Sequence, residues 1–340
     1  MGNNGRLFWL LFTGLLLAAA RTPGDPAYPY LPDGWPAPVY DQSRNQLTKA
    51  GIALGRKLFY EPMLSRDSTV SCSNCHLSFT AFTHVDHALS HGISDRIGKR
   101  NAPALVNLAW SRSFMWDGAV NHLDMQALAP VSNHAEMDFD IAGVVNRLGS
   151  RTEYRKMFEE AFGSDDITGE RVLKAIAQFE LTLVSANSGY DRVMAGKDTF
   201  TLQEKNGYEL FKKHCNSCHS EPLFTQYQFE NNGLKPDTTL NDRGRAGITG
   251  NPADEMKFKV PTLRNIEISY PYMHDGRFKR LKDVLNHYTN GIADSPTLSP
   301  VLKDKIQLDG REKTDLIAFL LTLTDRDFLF NPDFRPQEAH

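Results

Sequence analysis

The chain has 340 residues, 41% of them hydrophobic, with 38 basic and 41 acidic side chains and a net charge of −3. That length suits about two domains with a sizeable core, and the near-neutral balance excludes a basic field of the kind that holds nucleic acid. Only four cysteines are present, and all of them sit in two short motifs.

In chain order, "MGNNGRLFWLLFTGLLLAAARTPG" carries one positive charge at Arg6, an apolar run from Leu7 to Leu17, and then Ala18, Ala19 and Ala20. This is the layout of a secretory signal peptide over residues 1–20. The run is shorter than the ~20 apolar residues that span a bilayer, and no cysteine follows it for lipid attachment. The expected mature protein is exported to the periplasm, does not span the membrane, and starts near Arg21. A Gly- and Pro-rich lead segment, 22–38, reads as loop.

"AGIALGRKLFYE" then precedes "VSCSNCH", and "EKNGYELFKKHC" later runs into "CNSCH". Each lead-in has a Gly ahead of a Leu-Phe pair on a helical pattern, which suggests an internal repeat. Between the two lies "VVNRLGSRTEYRKMFEEAF", an amphipathic candidate broken by Gly149. "GERVLKAIAQFELTLVSA" places Val172, Ile176, Phe179 and Leu183 on one helical face. Residues 231–252 and 291–300 read as loops. "TDLIAFLLTLTD" closes the pattern with Leu316, Phe319, Leu320 and Leu323 on one face. The expected fold class is mainly α with little strand: two related domains packed against each other, each holding one of the two cysteine motifs. The first covers 21–195 and the second 196–329, with a tail over 330–340.

Four cysteines in an exported chain could form disulfides or bind zinc, but neither use requires a histidine after each pair. Cys-x-x-Cys-His is the attachment sequence of c-type haem. Two thiols one helical turn apart add to the haem vinyl groups, and the next residue presents imidazole to the iron. The expected sites are Cys72, Cys75 and His76, and Cys215, Cys218 and His219, giving two covalently bound haem c groups.

"GRKLFYEPMLSRDSTVSCSNCH", "HALSHGISDRIGKRNAPALVN", "SFMWDG", "QALAPVSNHAEM", "LFKKHCNSCHS" and "VPTLRNIEISYPYMHDGRF" together resemble the bacterial di-haem cytochrome c peroxidases, a superfamily that includes the MauG enzymes. The resemblance implies that Glu136 moves a proton on the distal side of the first haem, with Gln126 and Pro130 beside it. It implies that Trp116 lies between the haems. It implies His91, with His84 and His87 as rivals, as a residue that binds the first iron in the oxidised resting state. It also implies a calcium ion held by Asn101 and by backbone carbonyls at Ser269 and Pro271. Taken alone, Glu136 would read as a solvated acid beside Asp138 and Asp140, and Trp116 as core.

The family's electron-entry haem typically takes methionine as sixth ligand. Here the matching position is Tyr288, in "RLKDVLNHYTNG", which shares a helical face with Leu281, Val284 and Leu285. His287 lies about 100° away on such a helix, and Met273 is a further candidate. A tyrosine there resembles MauG. Three readings follow. The first is a peroxidase reducing hydrogen peroxide to water, with a small cytochrome c or cupredoxin as donor and a homodimer as an assembly to be considered. The second is a MauG-like oxidase of a protein or small molecule. The third is a non-catalytic di-haem electron carrier, which would need none of Glu136, Gln126 and Trp116.

Overall fold

The computed structural model describes residues 31–336. The expected signal peptide, 1–20, therefore lies outside the described residues. Helices dominate, as expected. Among the described residues the regular strands are Phe229–Glu230 and Phe258–Lys259, paired antiparallel.

Each half is built on a crossed helix pair. In the first, Lys49–Phe59 packs on Gly169–Glu180; in the second, Leu202–His214 packs on Gly310–Leu321. The repeated lead-in glycines mark the two crossings. A Cβ on Gly55 would lie 1.9 Å from the carbonyl oxygen of Ala175, and one on Gly207 would lie 2.0 Å from that of Asp315. Phe179 and Phe319 close the same contacts one turn on. The glycines thus serve helix–helix contact, and the apolar ridges beside them enter the cores around Phe59 and Phe211.

The repeat extends well beyond the lead-ins. Asn107 and Asn265 are both buried with left-handed backbone (φ 56° and 60°). Asn107 N–H donates to Leu183 O and Asn265 N–H to Leu323 O, at 2.9 and 3.0 Å. Each therefore ties a loop to the chain leaving the second helix of its own pair, where backbone groups have no helical partner. "MWDG" at 115–118 and "MHDG" at 273–276 form matching turns, closed by the bridges Phe114↔Val120 and Tyr272↔Phe278. These turns point across the boundary between the halves. A Cβ on Gly118 would meet the Phe229 ring at 2.4 Å, and one on Gly276 would meet Ala88 O at 2.2 Å. Arg100 joins the halves electrically, donating to Asp117 at 2.5 Å and to Asp242 at 2.6 Å.

The predicted candidate over 144–162 is two helices, Ile141–Gly149 and Thr152–Phe162, with the break at Ser150 and Arg151. The predicted helix through Tyr288 ends earlier: Leu281–Asn286 is α-helical and His287–Gly291 is a π-turn. Residues 337–340 of the expected tail lie outside the described residues, while 330–336 return to the first half. There Phe334 packs with Phe82 and Phe328, and Tyr60 Oη donates to Phe334 O at 2.6 Å.

Gly55→Ala or Gly207→Ala should destabilise the holoprotein by about 1–3 kcal/mol, the usual cost of overpacking. Gly149→Ala, with open space around its Cβ, should be neutral or slightly stabilising. Chemical denaturation followed by far-UV circular dichroism checks this; equal effects at all three sites would contradict the crossing geometry.

Candidate active site

The two pentapeptides fold alike. Cys72–Cys75 is a single helical turn, and in both motifs the histidine N–H donates to the first cysteine's carbonyl, at 3.0 Å for His76 and 2.9 Å for His219. None of the four cysteines pairs in a disulfide. Burial raises the thiols of Cys72 and Cys215 to about 12 and that of Cys75 to about 11. A few residues later each chain turns through a left-handed phenylalanine, Phe82 (φ 56°) and Phe224 (φ 53°). His76 Nδ1–H donates to Phe82 O at 2.7 Å. His219 Nδ1–H is shared between Phe224 O (3.2 Å) and Pro261 O (3.1 Å). Burial pushes both imidazoles down to about 4, so both are neutral at pH 7. With Nδ1 committed as donor, Nε2 is left with its lone pair, the form that ligates a metal.

His76 and His219 open onto one continuous cavity of ≈720 Å³, mostly apolar, that runs through both halves. Cys75, Cys215 and Cys218 line it, while Cys72 is packed into the adjoining apolar cluster. Glu136, Gln126 and Pro130 also line it, as do Trp116, Tyr288 and Met273. The cavity fits haem at a second, independent point. Lys259 lines it, and its Nζ donates to Ser113 O at 2.8 Å with no ion pair among the described residues. Burial drops that ammonium to about 8. Such a cation suits a propionate carboxylate, since a desolvated charge is costly unless paired.

The three acids of "HAEMDFD" separate by role. Asp138 is buried and held by Arg66, Arg96 and His134. Asp140 caps Ile141–Gly149 through Gly143 N–H. Glu136 faces the cavity, where its Oε1 accepts from Asn133 Nδ2 at 2.7 Å. Burial raises its carboxyl above the ordinary range, against the lowering effect of that hydrogen bond. Gln126 is 8% exposed, its Nε2 4.0 Å from Met115 Sδ.

His91 lies beside the first attachment motif. It is not among the cavity's lining residues. Its carbonyl meets Cys75 Sγ at 3.7 Å, and its ring packs edge-on against His87 with centroids 4.1 Å apart. His84 and His87 also stay out of the cavity.

On the second side, Tyr288 lines the cavity and burial pushes its phenol up to about 12. The π-turn directs its neighbour elsewhere: His287 Nε2–H donates to Asn232 O at 3.0 Å. Met273 shares the wall, its Sδ accepting from Asn232 Nδ2 at 3.4 Å.

Asn101, Ser269 and Pro271 all line the cavity. Asn101 Nδ2 donates to Ala88 O at 2.9 Å, which leaves Oδ1 as the atom it can offer a hard cation such as calcium. Its backbone links the two matching turns: Trp116 Nε1 donates to Asn101 O (2.8 Å), and Asn101 N–H donates to His274 O (2.7 Å). His274 thus stands where Trp116 stands in the other half, stacked on Phe258 at 3.6 Å. Sequence reasoning missed Lys259 and His274. The repeat of Met-x-Asp-Gly was the signal for His274; an isolated lysine in a loop gave none.

Comparison with known proteins agrees with this geometry. Residues 49–199 match the family model "Di-haem cytochrome c peroxidase", and residues 204–324 match "Cytochrome c". The methylamine utilization protein MauG of Methylorubrum extorquens is 37% identical over 298 residues, 85% of this chain and 82% of that protein. The cytochrome c551 peroxidase of Nitrosomonas europaea is 36% identical over 289 residues, 83% of this chain and 81% of that one. Among solved structures, a MauG-like protein associated with microbial copper homeostasis superposes with a TM-score of 0.81 at 32% identity, covering 91% of this chain and 99% of the other. The diheme peroxidase BthA from Burkholderia thailandensis shares the fold at 21% identity, with a TM-score of 0.72 over 87% of this chain and 92% of the other. Cytochrome c domains imply covalently bound haem c. With its paired attachment motifs, shared cavity and relatives, this chain is an oxidoreductase of the di-haem cytochrome c peroxidase family, which includes the MauG proteins.

Proposed function

We propose that this protein is an exported peroxidase that reduces hydrogen peroxide to water on the His76 side of the cavity. Electrons enter from the His219 side, delivered by a small cytochrome c or cupredoxin. The observation that carries this reading is that His76, Glu136 and Gln126 all line the cavity, with Glu136 near enough to the first attachment motif to act electrostatically on Cys75. Haem c, when bound through Cys72 and Cys75 and through Cys215 and Cys218, supplies iron for O–O cleavage and for electron storage.

The protein's own residues do the rest. His76 and His219 are held as neutral ligands by their Nδ1 bonds. Glu136 as carboxylate takes the proton from one peroxide oxygen and returns it to the other, which leaves as water. Gln126 offers an amide donor where negative charge develops. The balance is one peroxide, two protons and two electrons to two waters. Trp116, hydrogen-bonded to the Asn101 carbonyl, is an aromatic group of the cavity lining that would relay electrons between the two sides. Asn101 Oδ1, with carbonyls of Ser269 and Pro271, would hold calcium there. No helix of the described residues is long and apolar enough to cross a membrane.

A second reading is favoured by Tyr288. A tyrosine rather than a methionine on the second side supports a MauG-like oxidase, whose electrons come from a protein or small-molecule substrate. The names of the MauG relatives point the same way.

Glu136→Gln should retain both haems yet slow steady-state peroxide turnover about 10²–10⁴-fold, because an amide cannot shuttle a proton. Near-normal turnover would remove Glu136 from the reaction.

The same carboxyl should set an acid limb in the pH–rate profile. Glu136 must be ionised to accept a proton, so the rate falls as pH drops through a value above the ordinary carboxylate range. Asn133→Ala removes a hydrogen bond that favours the carboxylate, so its limb should move to higher pH.

Tyr288→Phe should change the ferric spectrum of the second haem and raise its midpoint potential, because phenolate favours the ferric state. Potentiometric titration separates the readings: an unchanged potential sends the search for the ligand to Met273 and removes the main support for the MauG-like reading.

A further inference from the structure

The loop between the first attachment motif and Asn101 carries three histidines that the proposed reaction leaves unused. His84, Asp86 and His87 present side-chain donor atoms that all lie within 4.8 Å of one another. His84 is 9% exposed, and its Nδ1 is fully buried without a hydrogen-bond partner. Leaving a buried polar nitrogen unpaired is costly, so something is expected to occupy its lone pair. The His84 and His87 rings meet edge to face with centroids 4.5 Å apart.

The loop is pinned on both sides of this cluster. Before it, Thr83 Oγ1 donates to Thr80 O at 3.0 Å, and Leu77 N–H donates to Thr83 O at 3.0 Å. After it, Ala88 O accepts from Asn101 Nδ2, and Ala88 packs against Gly276, where no Cβ would fit. The three donors are therefore held together by a rigid frame.

We propose that His84, Asp86 and His87 form a binding site for a divalent first-row transition metal of the zinc and copper class, with solvent completing the coordination. Two imidazoles and one carboxylate suit these ions. They do not suit calcium, which takes six to eight oxygens. Metal–ligand bonds of roughly 2.0–2.2 Å require the donors to draw together from their present spread, and exposed Asp86 has the freedom to do so.

The test uses the two-haem holoprotein, stripped with chelator and dialysed against Zn²⁺ or Cu²⁺, with bound metal counted against iron by mass spectrometry. One bound ion per two irons is expected, unaffected by excess calcium, with Cu²⁺ displacing Zn²⁺. The frozen-solution Cu²⁺ resonance should carry nitrogen hyperfine structure from two imidazoles. Asp86→Asn with His87→Asn, both at the accessible side of the cluster, should weaken binding at least about tenfold without altering the haem spectra. Failure of the wild-type protein to bind a stoichiometric ion overturns the proposal. So does full binding by the double variant, which would place the ion elsewhere, for example at His134.

Discussion

Both halves depend on one hydrogen bond, from a proximal imidazole Nδ1 to the carbonyl of a phenylalanine that the chain turns left-handed to present. A bulky residue at positive φ is unfavourable, by about 1–3 kcal/mol. Phe82 and Phe224 are fully buried among aromatic neighbours, and burying a phenylalanine contributes about 1.5–3 kcal/mol. The strain and the burial are comparable, so the turn is held by the core it enters. Through that turn the core sets the tautomer, and the tautomer sets which nitrogen reaches the cavity. Packing and ligand chemistry are here a single problem, solved twice in one chain.

Much of this was legible in the sequence, and for a physical reason. Covalent haem attachment needs contiguous residues one turn apart, so both motifs could be read directly. Helical faces such as Val172–Ile176–Phe179 follow from local periodicity. That Glu136, Gln126 and His76 line one cavity is different, because only tertiary folding does this, and only the family resemblance grouped them in advance. Side-chain direction in loops was beyond reach. Nothing local in "LSHGI" says that His91 turns toward His87, because loop direction is set by Ala88 against Gly276 and by Gly92 against residues 135–136. The π-turn after Asn286 was likewise invisible, since it alters hydrogen bonding without altering the hydrophobic pattern.

The two halves also show how a duplicated frame takes on unequal work. Gly55 and Gly207, Phe82 and Phe224, Asn107 and Asn265 hold the same places, and these are the frame. The positions that differ are those facing the cavity: Trp116 against His274, and Glu136 with Gln126 on one side against Tyr288 on the other. Asn101 binds to both turns at once, so the asymmetric residues are held in register by a symmetric scaffold.

Gly92 carries a consequence for motion. A Cβ there would lie 2.3 Å from the carbonyl oxygens of both Ala135 and Glu136, and the next residue, Ile93, donates its N–H to Glu136 O at 2.8 Å. The backbone that carries His91 is thus latched to the backbone that carries Glu136. A load on either loop is therefore passed to the other at main-chain level. The placement of His91 and that of Glu136 hang on one joint, made of a glycine with no room for a side chain and a single backbone hydrogen bond.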